Sequence, residues 1–160
     1  MRYILVFSCF LMSNSLADRY PQNLEPFKEV CFTASVSKDN IYVDDELAVV
    51  EMQRLARVYR LPYAVDNCFT NYTTTLTIFL EISGFKAGTY YVYNHGVKGI
   101  ATSTRISKVD INSRSFAGVV LYDHAFFGVT PVSQIGKDTY FKDIRELMEL
   151  LVEDWNKAHP

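Results

Sequence analysis

Apolar and polar residues alternate from Val30 to Val36, with Val30, Phe32, Ala34 and Val36 on one side and Cys31, Thr33 and Ser35 on the other. This period of two predicts a strand with one buried face, from which Cys31 points away. A clearer run spans residues 73–82, where Leu76, Ile78, Leu80 and Ile82 oppose Thr75, Thr77, Phe79 and Glu81. Residues 83–88 have the composition of a turn, after which 89–93 folds back antiparallel until Asn94, His95 and Gly96 break the run. Residues 100–109 and 115–125 flank a polar loop at 110–114 and predict a further hairpin.

Elsewhere the period changes to that of a helix. Asp44 has the chemistry of an N-cap, Asp45 and Glu46 suit the first turn, and Ala48, Met52, Leu55, Ala56 and Tyr59 form a stripe that Pro62 ends. Near the C-terminus Phe141, Ile144, Met148, Leu151, Val152 and Trp155 form a second stripe. Its other face, Lys142, Asp143, Arg145, Glu146, Glu149, Glu153 and Asp154, reads as solvated surface. Residues 18–28 read as an extended lead-in, and 128–136, with Pro131, returns the chain across the sheet. The order predicts an α+β domain: an antiparallel β-meander sheet of about five strands packed with two amphipathic helices as a two-layer sandwich. The crossover from the first strand to the second is expected to be right-handed. In layout this resembles small exported envelope proteins of bacteria, but no motif residue carries a function across.

Residues 1–17 have a different character. Arg2 supplies a positive start, residues 3–12 form an apolar run too short to span a bilayer, and Ser15-Leu16-Ala17 suits signal peptidase. This predicts a signal peptide at 1–17, cleavage before Asp18, and a single exported domain at 18–160, periplasmic or extracellular. Val6-Phe7-Ser8-Cys9 faintly resembles a lipoprotein box, but the apolar run before Cys9 is short and Phe7 is bulky. Cleavage removes Cys9 and leaves Cys31 and Cys68, an even pair that an oxidising compartment bridges. Closing that loop stabilises by roughly 4 kcal/mol in the chain-entropy treatment. Asn71-Tyr72-Thr73 is a glycosylation sequon in a eukaryotic host.

Charge narrows the partners. The chain carries a formal net charge of −2, one unit more negative without Arg2, which argues against nucleic acid. Lysine and arginine are scattered, so no polybasic membrane patch forms, and no second segment is long enough to span a membrane.

Catalytic chemistry finds little to use. The histidines are His95, His124 and His159; His159 lies in a tail expected to fray, and Asp123 and His124 project to opposite faces of a strand. His95 sits in a Tyr-Asn-His-Gly turn composition, expected to be solvated and partnerless. There is no Gly-x-Ser-x-Gly elbow, no P-loop and no clustered zinc ligand set, and Asp44-Asp45-Glu46 reads as helix capping rather than a calcium site. No catalytic residue, metal site or cofactor is therefore assigned. Tyr90, Tyr91, Tyr93 and His95 set aromatic rings beside polar tips, a mix favoured at interfaces and carbohydrate sites, and they form the candidate binding surface. Phe126-Phe127-Gly128 at a strand end is a second feature that points toward binding, since at least one ring could be exposed there, although burial under the last helix is expected. The chain thus reads as an exported non-enzymatic protein that binds a protein or envelope component. The alternatives are a small secreted hydrolase using His95 or His124, and an inhibitor or immunity-type protein.

Overall fold

The first predicted strand forms as β1 (Glu29–Val36), and its end is tied to the following helix α1 (Asp45–Tyr59) through the Val36 amide, which donates to Asp45 Oδ1 at 2.6 Å. Asp44 caps α1 by accepting from the Leu47 amide at 2.7 Å, which satisfies a backbone donor that the helix itself leaves open. The helix ends at Arg60, held in the left-handed region at φ 58°. The computed structural model describes residues 21–37, 42–65, 68, 74–102 and 118–160. The predicted leader at 1–17, Asn71 and the loop at 110–114 lie outside these residues.

After α1 come β2 (Tyr63–Ala64), β3 (Thr75–Ala87), β4 (Tyr90–Thr102), β5 (Gly118–Pro131) and a long helix α2 (Lys137–Ala158). The five strands form one sheet in the order β2-β1-β3-β4-β5. The class is α+β, as expected, but the sheet is mixed rather than an antiparallel meander. β1 pairs in parallel with both β2 and β3, and only β3-β4-β5 are antiparallel. The reason lies in the connection: α1 carries the chain back to the end at which β1 began, so the next strand runs in the same direction. The two-residue β2 is too short to leave a period in the sequence.

Two local expectations are also corrected. β3 continues through residues 83–87, and the chain turns at Gly88, whose φ of 63° is one that glycine adopts without steric cost. Asn94, His95 and Gly96 do not break β4, because β3 and β5 pair with it on both sides across these positions. At Gly96 a Cβ would lie 2.9 Å from the Ala125 Cβ, so glycine serves close strand approach there rather than a turn.

The core lies between the helices and one face of the sheet. Leu76, Ile78, Leu80 and Ile82 of β3 are buried against Met52 and Leu55 of α1 and Ile144 and Met148 of α2. The buried stripe of α2 is Tyr140, Ile144, Leu147, Met148, Leu151 and Trp155, while Phe141 and Val152 are only half-buried. Asp154, read as solvated, is 2 % exposed. His159 is no frayed tail: its ring stacks on Trp155, and Nδ1 and Nε2 lie 3.0 and 2.8 Å from the carbonyl oxygens of Trp155 and Phe27. That contact fastens the end of α2 to the start of the described chain. Cys31 and Cys68 form the expected disulfide, with Cα atoms 5.1 Å apart. Thr77, the register partner of Cys31, donates its hydroxyl to the Cys68 carbonyl at 3.0 Å, so Cys68 is held where β1 meets β3.

Candidate functional site

Alternation along β4 splits the four predicted site residues between the two faces of the sheet. Tyr91, Tyr93 and His95 share the face of Val97, which is fully buried under the helices, whereas Tyr90 faces the other way. Tyr91 and His95 are buried, Tyr93 is half-buried, and Tyr90 is 53 % exposed.

On the helix side a polar aromatic cluster links β4 to α2. His95 Nδ1 lies 2.7 Å from Asp143 Oδ2, and the imidazole packs between the rings of Tyr93 and Tyr140, with centroids 4.7 and 5.2 Å away. The expected solvated, partnerless histidine is therefore buried and paired, and Asp143 is not a solvated surface carboxylate. The carboxylate accepts from Nδ1–H, and Nε2 is buried with no hydrogen-bond partner among the described residues. Burial, reinforced by the neighbouring Tyr91 hydroxyl, pushes the Tyr140 phenol up well beyond the ordinary tyrosine value. Tyr91 covers Gly84 of β3 and Tyr93 covers Gly128 of β5, so closely that a Cβ at either glycine would collide with the phenol. The rings thereby fill space that the glycines leave open.

A histidine oriented by a carboxylate is the base-and-orienter half of a hydrolytic triad. Here that half lacks the rest: Nε2 is enclosed and touches no nucleophile among the described residues. The pair consequently acts as a polar tie between sheet and helix. His124 lies on the same face in β5, edge-on to Phe126 at 5.3 Å, while Asp123 projects from the opposite face as expected.

The opposite, open face presents a different surface. Register places Phe85, Val92 and Val129 in one row across β3, β4 and β5, with Asn94 and Phe127 in the row before it and Tyr90 and Pro131 in the row after. Phe85, Tyr90, Phe127 and Val129 are each more than half exposed, Phe127 reaching 72 %. Phe126 packs against the core and Phe127 does not, so the pair expected under α2 is divided by alternation. Further along the face Lys98 donates to Glu81 at 2.9 Å, which holds its ammonium above its usual range, and Asp123 sits opposite Lys98 in register. Beside Tyr90 a shallow cleft of about 360 Å³ opens between the β3–β4 turn and Pro131, bordered by Lys86 and Ser133.

Sequence reasoning found Tyr90 but missed Phe85 and Val129. Phe85 was hidden in a turn composition, and Val129 in a segment read as a return loop. Among the described residues no cluster of histidine, cysteine and carboxylate side chains could hold a metal ion, and no helix is long and apolar enough to cross a membrane. No family model, curated protein or solved structure matches the chain.

Proposed function

We propose that this chain is an exported, non-enzymatic binding protein that holds a partner protein on the open face of β3, β4 and β5. The observation that carries this reading is the set Phe85, Tyr90, Phe127 and Val129, four large apolar side chains exposed together on one face. Water-facing apolar surface of this kind on a folded domain marks an interaction site. A protein partner suits it better than a lipid surface, because Lys98 on the same face is already paired with Glu81 and set opposite Asp123, which leaves a net negative charge that anionic headgroups would repel. Export is supported by the pattern of residues 1–17 and by the Cys31–Cys68 disulfide, a bond that oxidising compartments favour. An inhibitor or immunity-type protein would use the same surface in the same way.

A photo-reactive side chain at Phe85 in the full-length protein, expressed in its own host, tests this directly. Cross-linking is expected to give one dominant adduct that Tyr90→Ser or Phe127→Ser weakens. Adducts formed only from a control position on the exposed side of α2, such as Glu153, would sink the reading. The secreted-hydrolase alternative draws on the His95–Asp143 pair, and it requires ester or amide hydrolysis by the mature chain that His95→Asn abolishes.

A further inference from the structure

We infer that two copies of this chain pack open face against open face, sheet on sheet, about a two-fold axis that runs along β4. This rests on the reading of that face as a binding surface and names its occupant. The uncovered part of the face begins at the register row of Phe79, Lys98 and Asp123 and ends at the row of Ala87, Tyr90 and Pro131; before Phe79, Thr75 and Thr77 are buried. A two-fold along β4 lays β3 of one copy over β5 of the other and β4 over β4, so each row meets its own row reversed. Phe127 then lies over the small Ser83 of the second copy, and Asn94 meets Asn94, an amide that both donates and accepts. In the next row Phe85 lies over Val129 and Val92 over Val92, and in the last Pro131 lies over Ala87 and Tyr90 over Tyr90. Large side chains thus oppose smaller ones, as close packing of two layers requires. An axis across the strands at the Phe85 row would instead set Phe85 on Phe85 and Ser83 on Ala87, crowding one point and leaving another empty.

Charge leaves this arrangement open. The rows of Glu81 and Lys98 lie about 13 and 20 Å along the strands from the row of Phe85, so they fall at the rim. Lys98 there is paired with Glu81 and set opposite Asp123, and each copy brings one net negative charge, which solvent screens. Area sets the strength. A standard interface buries about 800 Å² on each side. Phe85, Tyr90 and Phe127, each more than half exposed, present roughly 300 Å² at about 200 Å² per aromatic side chain. Val129 and the half-exposed Val92, Asn94, Ala125 and Pro131 bring the face to the lower end of the standard class. The dimer is accordingly expected to dissociate in the micromolar range.

Sedimentation of the purified mature protein from micromolar to millimolar concentration should show a monomer–dimer equilibrium. Phe127→Ser, which removes the ring, and Ser83→Phe, which sets ring against ring, should each weaken it about tenfold or more. Combining the two should restore most of the affinity, because the exchange again places a large side chain over a small one, and a merely misfolded single variant would not be rescued in this way. A photo-reactive side chain at Phe85 in the purified protein should give a covalent dimer joined to β5 of the second copy around Val129. A monomer at millimolar concentration, a dimer indifferent to Phe127→Ser and Ser83→Phe, a double variant no better than its parents, or a dimer joined to β3 of the second copy would each overturn the inference. A protein that stays monomeric yet cross-links a host protein from Phe85 removes the second copy as occupant and leaves the binding reading standing.

Discussion

His95 in β4 and Asp143 in α2 lie 48 residues apart in sequence, and their side chains meet at 2.7 Å, exposed only 3 % and 15 %. Removing the carboxylate leaves a buried imidazole N–H without an acceptor, a loss that costs about 1–3 kcal/mol. Asp143→Ala is therefore expected to destabilise by that amount, while His95→Phe, which removes the polar ring altogether, should make Asp143→Ala nearly neutral. Urea unfolding of both single variants and the double variant measures the coupling. Additive losses would show that the pair contributes nothing beyond its separate packing.

Alkaline pH should loosen the same cluster. Tyr140 has its phenol pushed up by burial and by the Tyr91 hydroxyl, so the folded protein holds that proton more tightly than the unfolded chain does. A group raised in the fold gives its full stability below the unfolded value, about 10 for tyrosine, and loses it as pH rises above that. Stability is thus expected to fall between about pH 10 and 12 in the wild type, and less steeply in Tyr140→Phe. Thermal unfolding of both proteins across that range checks it, and parallel curves would exclude Tyr140 as the cause.

What the sequence made visible follows the reach of each signal. Single-element periodicities were legible: the alternation of Val30 to Val36 became β1, and Asp44 capped α1 as its chemistry requires. Pairing partners were not. Nothing in the residues around Leu76 records that β3 lies parallel to β1, because that depends on the connections that precede β3 rather than on its own residues. For the same reason His95 looked like a turn residue. Its neighbours Asn94 and Gly96 favour turns locally, but pairing to Ile82 and Phe126 on either side holds the strand straight. Asp143 was hidden by the opposite error, since a carboxylate in a charged helix face gives no hint that a buried ring waits across the interface. Tyr90 was separable from Tyr91 and Tyr93 by alternation alone, and only the tertiary structure showed which face the helices cover.

Reduction of the Cys31–Cys68 disulfide should be costly, because the bond closes a loop that contains α1 and β2. Freed from the cross-link, the unfolded chain regains entropy worth roughly 4 kcal/mol. The double variant Cys31→Ala/Cys68→Ala is expected to unfold at a lower urea concentration by an equivalent amount, with a larger m value if the denatured state expands. An unchanged midpoint would mean that packing at Thr77 and Cys68 holds this region without the bond.

Arg60 offers a change that should add stability instead. It is the only residue other than glycine at positive φ among the described residues, and its left-handed conformation lets the Leu61 amide reach the Ala56 carbonyl at 2.9 Å to close α1. Glycine is the common residue at this kind of helix end because it has no Cβ to crowd the backbone. Relief of that crowding is worth about 1–2 kcal/mol, against which glycine's extra freedom in the unfolded chain costs about 0.5–1 kcal/mol. Arg60→Gly should therefore stabilise by about 0.5–1 kcal/mol. Arg60→Val, β-branched at the same φ, should destabilise by more than 1 kcal/mol, as an order of magnitude. The pair is read by urea midpoints at constant m. A loss of stability in Arg60→Gly would show that contacts of the arginine side chain outweigh the backbone term.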